Sequence, residues 1–230
     1  MTEELENRRT IRSFVRRAGR LTPSQERALS ELWPLYGIEH SDTALDFVEH
    51  FGRNAPRTLE IGFGNGETLV EQARLQPDHD FIGIEVHEPG VGHCLLGIHE
   101  AGIQNLRLMS FDAIEVLRQQ IPESSLRRIN LYFPDPWPKK RHHKRRIVAP
   151  AFLDLCARAL QPGGTLHIAT DWDNYAEHIE AALAQAPDFV LQEHSRHDGD
   201  QPLDRPRTKF ERRGLLRGHK INDWIFTASK

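Results

Sequence analysis

Three features of this chain bring together residue types that could hold a ligand and do chemistry on it. The first is Glu60-Ile61-Gly62-Phe63-Gly64-Asn65-Gly66, three alternating glycines with an acid two positions ahead of them. Glycine reaches positive φ and has no Cβ, so a strand-to-helix turn built this way lets a small molecule approach the backbone closely. A dinucleotide turn is spaced Gly-x-Gly-x-x-Gly, whereas here Glu67 stands where its third glycine belongs. The spacing excludes the dinucleotide version, and Glu60 suits a cationic ligand better than a pyrophosphate.

The second feature is a series of acids. Glu60 closes one predicted strand, Glu85 closes the next in Phe81-Ile82-Gly83-Ile84-Glu85, and Asp112 follows the third. S-adenosylmethionine carries an amino-acid moiety and a sulfonium but no phosphate, so its site needs a tight turn plus carboxylates. Glu85 lies at the distance from the turn where a carboxylate accepts ribose hydroxyls, and Asp112 would face the adenine. Each acid singly could be a helix N-cap, Asp112 above all. Acids at the ends of three successive parallel strands are harder to assign to capping alone, because open α/β sheets bind ligands at that edge.

The third feature is Pro134-Asp135-Pro136-Trp137-Pro138, followed at once by Lys139-Lys140-Arg141-His142-His143-Lys144-Arg145-Arg146. Prolines on both sides of Asp135 forbid helix or sheet continuation and fix this carboxylate at the mouth of the same cleft. A carboxylate and an aromatic beside a run of cations fit a base presented by a polyanion. Charge placement agrees. The net charge of −3 conceals segments of +3 (residues 1–30), +6 (139–146) and +6 (205–220), leaving −18 on the rest of the chain. Basic stripes on an acidic body are the footprint of a nucleic-acid binder.

The elements that must position these groups alternate from residue 58 onward. Apolar, β-branched runs at 58–61, 81–85, 106–109, 129–133 and 165–170 predict parallel strands, with helices at 67–76, 90–101, 113–120, 147–160 and 174–186. Strands at 189–194 and 221–228, with only a short helix at 209–215 between them, predict an antiparallel addition at the sheet edge. The fold class expected is α/β, a Rossmann-like methyltransferase fold with a mostly parallel seven-stranded sheet, one antiparallel edge strand and helices on both faces. Residues 1–54 read as an Arg-rich arm (8–20) with helices at 22–36 and 42–51, and residues 55–230 as the catalytic domain. Cys94 and Cys156 sit in apolar helical patterns and read as buried, unreactive thiols. The thirteen histidines show no metal-ligand spacing, so no metal is expected. No apolar run approaches the roughly 18 residues of a membrane span, and a charged start replaces a signal peptide, so a cytoplasmic location is expected.

In the combination and order of its motifs the chain resembles the bacterial tRNA (guanine-N7-)-methyltransferases. The matching segments are Leu59-Glu60-Ile61-Gly62-Phe63-Gly64, Gly83-Ile84-Glu85-Val86-His87, Phe133-Pro134-Asp135-Pro136-Trp137, Thr170-Asp171-Trp172 and Arg207-Thr208-Lys209-Phe210-Glu211-Arg212. The resemblance implies methyl transfer from S-adenosylmethionine to N7 of a guanine in the tRNA variable loop, conventional position 46, with S-adenosylhomocysteine as the other product. It implies cofactor contacts at Glu60, Gly62, Gly64, Gly66, Glu85, Asp112 and Asp135, with Asp135 also catalytic. Substrate contacts would lie at Lys139, Asp171, Thr208, Lys209, Phe210 and Glu211. RNA contacts would lie at Arg141, His142, His143, Lys144, Arg145 and Arg146. The partner is tRNA, with no membrane and no obligate protein partner, the chain acting as monomer or homodimer.

Two other classes stay open at this point. An exocyclic-amine RNA methyltransferase would carry Asp or Asn, then Pro-Pro and an aromatic, and this chain is one residue short of that pattern. A non-catalytic RNA-binding protein on the same fold would be expected to have lost part of the acidic set. A nicotinamide oxidoreductase is disfavoured by Glu67.

Overall fold

The computed structural model describes residues 13–14, 19–199 and 202–229, so most of the predicted Arg-rich arm lies outside the described residues. The seven strands are β1 (Arg57–Ile61), β2 (Asp80–Ile84), β3 (Leu106–Met109), β4 (Leu126–Tyr132), β5 (Leu160–Thr170), β6 (Phe189–His197) and β7 (Ile221–Ala228). They form one sheet in the order β3-β2-β1-β4-β5-β7-β6. Pairings among β1 to β5 are parallel, and β7 runs antiparallel to both β5 and β6. The reversed strand therefore lies one place in from the edge, and β6 takes the outer position. The order turns back at β1 and β4, the position where the carboxyl ends of parallel strands leave a crevice.

The crossover helices are α4 (Glu67–Leu75), α5 (Glu88–Glu100), α6 (Ala113–Gln119), α7 (Pro150–Ala159) and α8 (Asp173–Leu183), with α9 (Lys209–Leu215) between β6 and β7. Ahead of the sheet come α1 (Pro23–Glu31), α2 (Trp33–Tyr36) and α3 (Phe47–Phe51). The single helix expected over 22–36 is divided at Leu32, because Pro34 has no N–H for the ladder and starts a new turn. Its N-terminus forms as the sequence predicts, with Thr22 and Gln25 in a reciprocal capping box and Pro23 at the first turn. The helix expected over 42–51 shortens to α3, which Asp46 caps through the N–H groups of Val48 and Glu49.

This leading segment covers an open edge. Ile38 donates its N–H to the Leu108 carbonyl at 2.8 Å and Gly37 bridges to Leu108, so the chain after α2 blocks β3 from further pairing. Ala28, Leu32 and Tyr36 pack with Leu95 and Ile98 of α5 and Phe81 of β2 on one face of the sheet. The other face is a larger apolar layer in which Leu59, Ile61, Ile129, Leu131, Leu166, Ile168 and Trp224 meet α6, α7 and α8. Strand side chains alternate between faces. The residues interleaved with that apolar set, Glu60, Arg128, Asn130, Tyr132, His167 and Asp223, consequently all point to the opposite side.

Gly66 shows how tightly the turn is seated against α5. It has φ of +77°, and a Cβ there would lie 2.2 Å from the Cys94 Sγ. Gly66→Ala is expected to lower stability by about 1–3 kcal/mol through overpacking and backbone strain together. Urea unfolding of the two proteins measures this, and an unchanged midpoint would mean that the turn and α5 separate without penalty.

Candidate active site

A cleft of about 550 Å³ opens at the carboxyl ends of β1, β2 and β4. Its floor is the turn Glu60 to Gly66, where Gly62, Gly64 and Gly66 have φ of +74°, +61° and +77°. One wall comes from Glu85 and His87, another from Phe133, Pro134 and Asp135, and Lys209, Phe210 and Arg213 of α9 close over the top. The volume suits a ligand of nucleoside size.

Glu60 is 3% exposed, and its Oε2 has no hydrogen-bond partner among the described residues. Burial pushes its carboxyl up to about 7, against the opposing pull of Arg205 and Arg128 and a hydrogen bond from Asn130. A buried acceptor left open at a cleft floor is the receptor expected for a cationic donor. Glu85 is tied into the frame of the site. Its Oε2 accepts the Gly64 N–H at 2.9 Å, and its Oε1 accepts the N–H groups of Val86 and His87 at 2.7 and 3.0 Å. This carboxylate holds the glycine turn against the end of β2, leaving part of its acceptor capacity for a ligand.

Asp112 is the N-cap of α6, its Oδ1 accepting the Ile114 N–H at 3.0 Å, while its neighbours Phe111 and Ala113 line the cleft. Asp135 is exposed at the rim. Phe133 and Trp137, on either side of Pro-Asp-Pro, both have positive φ, 52° and 46°, so the backbone makes two uncommon turns to present this carboxylate. The second is held by tertiary contacts. Trp137 donates its indole N–H to the Ser13 carbonyl at 3.1 Å, and Arg145 lies over its ring at 5.0 Å. Ser13 and Phe14 themselves line the cleft.

The basic run winds into a 3-10 helix over Lys140–Arg145. Lys139, Lys140, Arg141 and Lys144 are exposed on it. Arg146 departs from the expectation of a phosphate contact. It is 5% exposed, donates to the carbonyls of Pro136 and Asn174 and to the Asn174 side chain, and stacks on Tyr175. The last cation of the run is thus a strut that fastens the Asp135 loop to α8.

The segment 208–211 divides in the same way. Thr208 caps α9 by accepting the Glu211 N–H at 3.0 Å, and Glu211 is fully buried against Arg205 at 2.6 Å. Lys209 and Phe210 are exposed and face the cleft. Asp171 lies outside the cleft lining and pairs with His219 at 2.9 Å.

The sequence reading missed the polar floor behind the cleft. Glu60, Asn130 and His167 occupy one register row across β1, β4 and β5. His167 accepts at Nδ1 from Arg128 and from the Tyr132 hydroxyl, and donates from Nε2 to Asp223 at 2.5 Å. Burial holds His167 below its usual range, consistent with the neutral tautomer this pattern requires. Burial alone would raise Asp223, but His167 and Arg205 outweigh it and keep the carboxyl low. The available signal was a polar residue at every second position of β4: Arg128, Asn130, Tyr132.

Among the described residues no helix is long and apolar enough to cross a membrane, and no group of three or more His, Cys, Asp or Glu could hold a metal. A family profile described as a putative methyltransferase matches residues 54–224. A curated tRNA (guanine-N(7)-)-methyltransferase of Halorhodospira halophila is 52% identical over 95% of each chain. The Escherichia coli protein of that name is 52% identical over 96% of this chain and 93% of its own. Among solved structures, the 16S rRNA methyltransferase KamB aligns at a TM-score of 0.60 and 15% identity over 83% of this chain and 96% of that one. A 16S rRNA (adenine(1408)-N(1))-methyltransferase from Catenulisporales acidiphilia, solved with cosubstrate SAM, aligns at 0.54 and 16% over 82% and 93%.

The raised carboxyl of Glu60 has a measurable consequence in the free protein. Between pH 4.5 and about 7 the folded state holds a proton that the unfolded chain releases, so this contribution is complete below pH 4.5 and is lost as pH rises towards 7. Relative to Glu60→Gln, the wild type should lose stability on the order of 3 kcal/mol across that window, at about 1.4 kcal/mol per pH unit. Parallel stability curves for the two proteins would show instead that Glu60 titrates normally.

Proposed function

Because the chain belongs to the bacterial tRNA (guanine-N7-)-methyltransferase family, we propose that this cleft joins S-adenosylmethionine to a guanine of the tRNA variable loop, at conventional position 46. The carrying observation is the buried, unpartnered Oε2 of Glu60 on the floor of a cleft whose rim bears Asp135. Glu60 would hold the cationic end of the cofactor, Gly62 and Gly64 would admit it to the backbone, and Glu85 would take the ribose. Asp112 would contribute through the Phe111 to Ala113 corner that it caps. When bound, the cofactor supplies an electrophilic sulfonium methyl and departs as S-adenosylhomocysteine.

Guanine N7 has an exposed in-plane lone pair, so the protein needs no base to create the nucleophile and acts by placement. Methylation leaves the base cationic, which strengthens a hydrogen bond from its N1 or N2 donors to a fixed carboxylate as the reaction proceeds. Asp135 meets that requirement, held by two prolines, the Phe133 and Trp137 turns and the Arg146 strut. The exposed aromatic ring of Phe210 over the cleft offers a surface on which a base can stack. Lys209 and the exposed cations of the 3-10 helix would take phosphates. Residues 1–54 serve in this reading as an extension of the catalytic domain, with Ser13 and Phe14 contributing to its cleft.

Incubation with labelled S-adenosylmethionine and unmodified tRNA, followed by nucleoside analysis, should yield 7-methylguanosine, and a different methylated nucleoside would overturn the reading. Asp135→Ala should lower kcat by about 10²-fold or more with tRNA binding retained, as for other positioned electrostatic groups. Near wild-type turnover would remove Asp135 from the mechanism. Paired replacement of Arg141 and Lys144 by Ala should flatten the salt dependence of tRNA binding by up to about 0.9 in log-log slope per lost contact. Arg146→Ala should instead lower stability and leave the slope alone, and the opposite pattern would reverse these two assignments.

A further inference from the structure

We propose that Arg205 is a positioning residue for methyl transfer, fixing α9 and the Asp135 turn in one arrangement over the cleft. The inference rests on the functional reading above and adds a residue that lines no part of the cleft.

Arg205 is 8% exposed and is addressed from three directions. Its Nε and Nη2 meet the Asp223 Oδ2 of β7 at 2.9 and 2.7 Å. Its Nη1 donates to the Glu211 Oε2 of α9 at 2.6 Å and to the Pro206 carbonyl at 3.3 Å. Its guanidinium also lies over the rings of Tyr132 at 5.2 Å and Phe133 at 5.6 Å. The first contact ties it to the sheet, the second to the helix that brings Lys209 and Phe210 to the cleft, and the third to the residue from which the chain turns into Pro134-Asp135-Pro136.

The far end of α9 is secured separately. Gly214 packs so closely on Asp171 that a Cβ would come within 2.8 Å of its Oδ2, and His219 pairs with the same carboxylate. The leading end, which faces the ligand, has the Thr208 cap and the Glu211 to Arg205 pair. Thr208 acts within the helix, so Glu211 is its link to the sheet. Asp223 is held in turn by His167 at 2.5 Å, so the arginine pulls against a fixed carboxylate. A planar guanidinium serves opposed acceptors and two ring faces at once; an ammonium is a point charge on a flexible stem and does not.

The test compares the full-length wild type with Arg205→Lys, which keeps a positive charge beside Glu60, and with Asp223→Asn, which keeps shape but weakens the clamp. Each is measured for S-adenosylmethionine affinity by calorimetry, for kcat and KM with tRNA, and for hydrogen exchange of α9 in the free protein. Urea unfolding at the assay temperature establishes that each variant is folded there. A positioning role predicts unchanged cofactor affinity, a kcat on tRNA reduced by on the order of 10 to 10²-fold, and faster exchange confined to α9, with Asp223→Asn showing a weaker form of the same split. Wild-type kcat and α9 exchange in Arg205→Lys would overturn the proposal. So would losses of cofactor affinity and turnover in equal proportion with exchange raised throughout, the pattern of a residue that only stabilises the fold. If the wild type forms no 7-methylguanosine, the functional reading fails, and the exchange measurement still decides by itself whether Arg205 holds α9.

Discussion

Charges enclosed between the sheet and α9 need partners on every side, and the cleft takes its form from how those partners are supplied. Arg205, Asp223 and Glu211 have fully buried side chains, and the His167 side chain beside them is fully buried too. Removing water from an ion costs several kcal/mol, and breaking one member of a buried pair typically costs about 3–5 kcal/mol. Such a set therefore persists only with near-complete satisfaction. Here hydrogen bonds run across the strands, from Arg128 and Tyr132 through His167 to Asp223, and from Arg205 to Glu211, while Arg205 Nη2 and Glu211 Oε1 are met by the opposite charges of Asp223 and Arg207. The C-terminal half of the chain is drawn over the sheet by this polar row, on the face opposite the main apolar layer.

The same row explains the character of the candidate cofactor site. Glu60 lies on it yet retains an unpartnered oxygen, and burial raises its carboxyl despite two arginines nearby. Such a group favours a ligand that brings its own positive charge, since ionisation then becomes favourable on binding. Glu85 serves the same cavity differently. By accepting the Gly64 N–H it keeps the glycine turn in shape before any ligand arrives, the kind of preorganisation that reduces the ordering left to binding. Around Asp135, rigidity comes from covalent restriction at two prolines and from the Arg146 strut, so that an exposed carboxylate is nonetheless closely placed.

Much of this was legible in the sequence because it depends on local pattern. Turn spacing separated this site from a dinucleotide site, strand and helix periodicity placed β3, α9 and β7 at their observed bounds, and the Thr22-Pro23 cap began a helix where expected. Periodicity was less informative where a single residue or a distant contact decides. The division of the first helix at Leu32 and the shortening of the next to α3 follow from a single proline and a single cap. The sequence could list six cations at 139–146, but whether one of them faces solvent or Asn174 depends on where α8 packs.

The chain by itself thus determined the fold class, the glycine turn on the cleft floor and the resemblance to a family, because each is written in residues near one another. Only the tertiary structure decided which charged groups are available to a ligand. Arg205 and Asp223 are eighteen residues apart, and His167 is 56 from Asp223, so no spacing rule links them. They become one network when β5, β7 and the segment before α9 are brought together and water is excluded. That exclusion leaves Asp135 and Phe210 accessible at the cleft while Glu211 and Arg146 become structural, and it sets the unpartnered Oε2 of Glu60 at the end of a buried polar row.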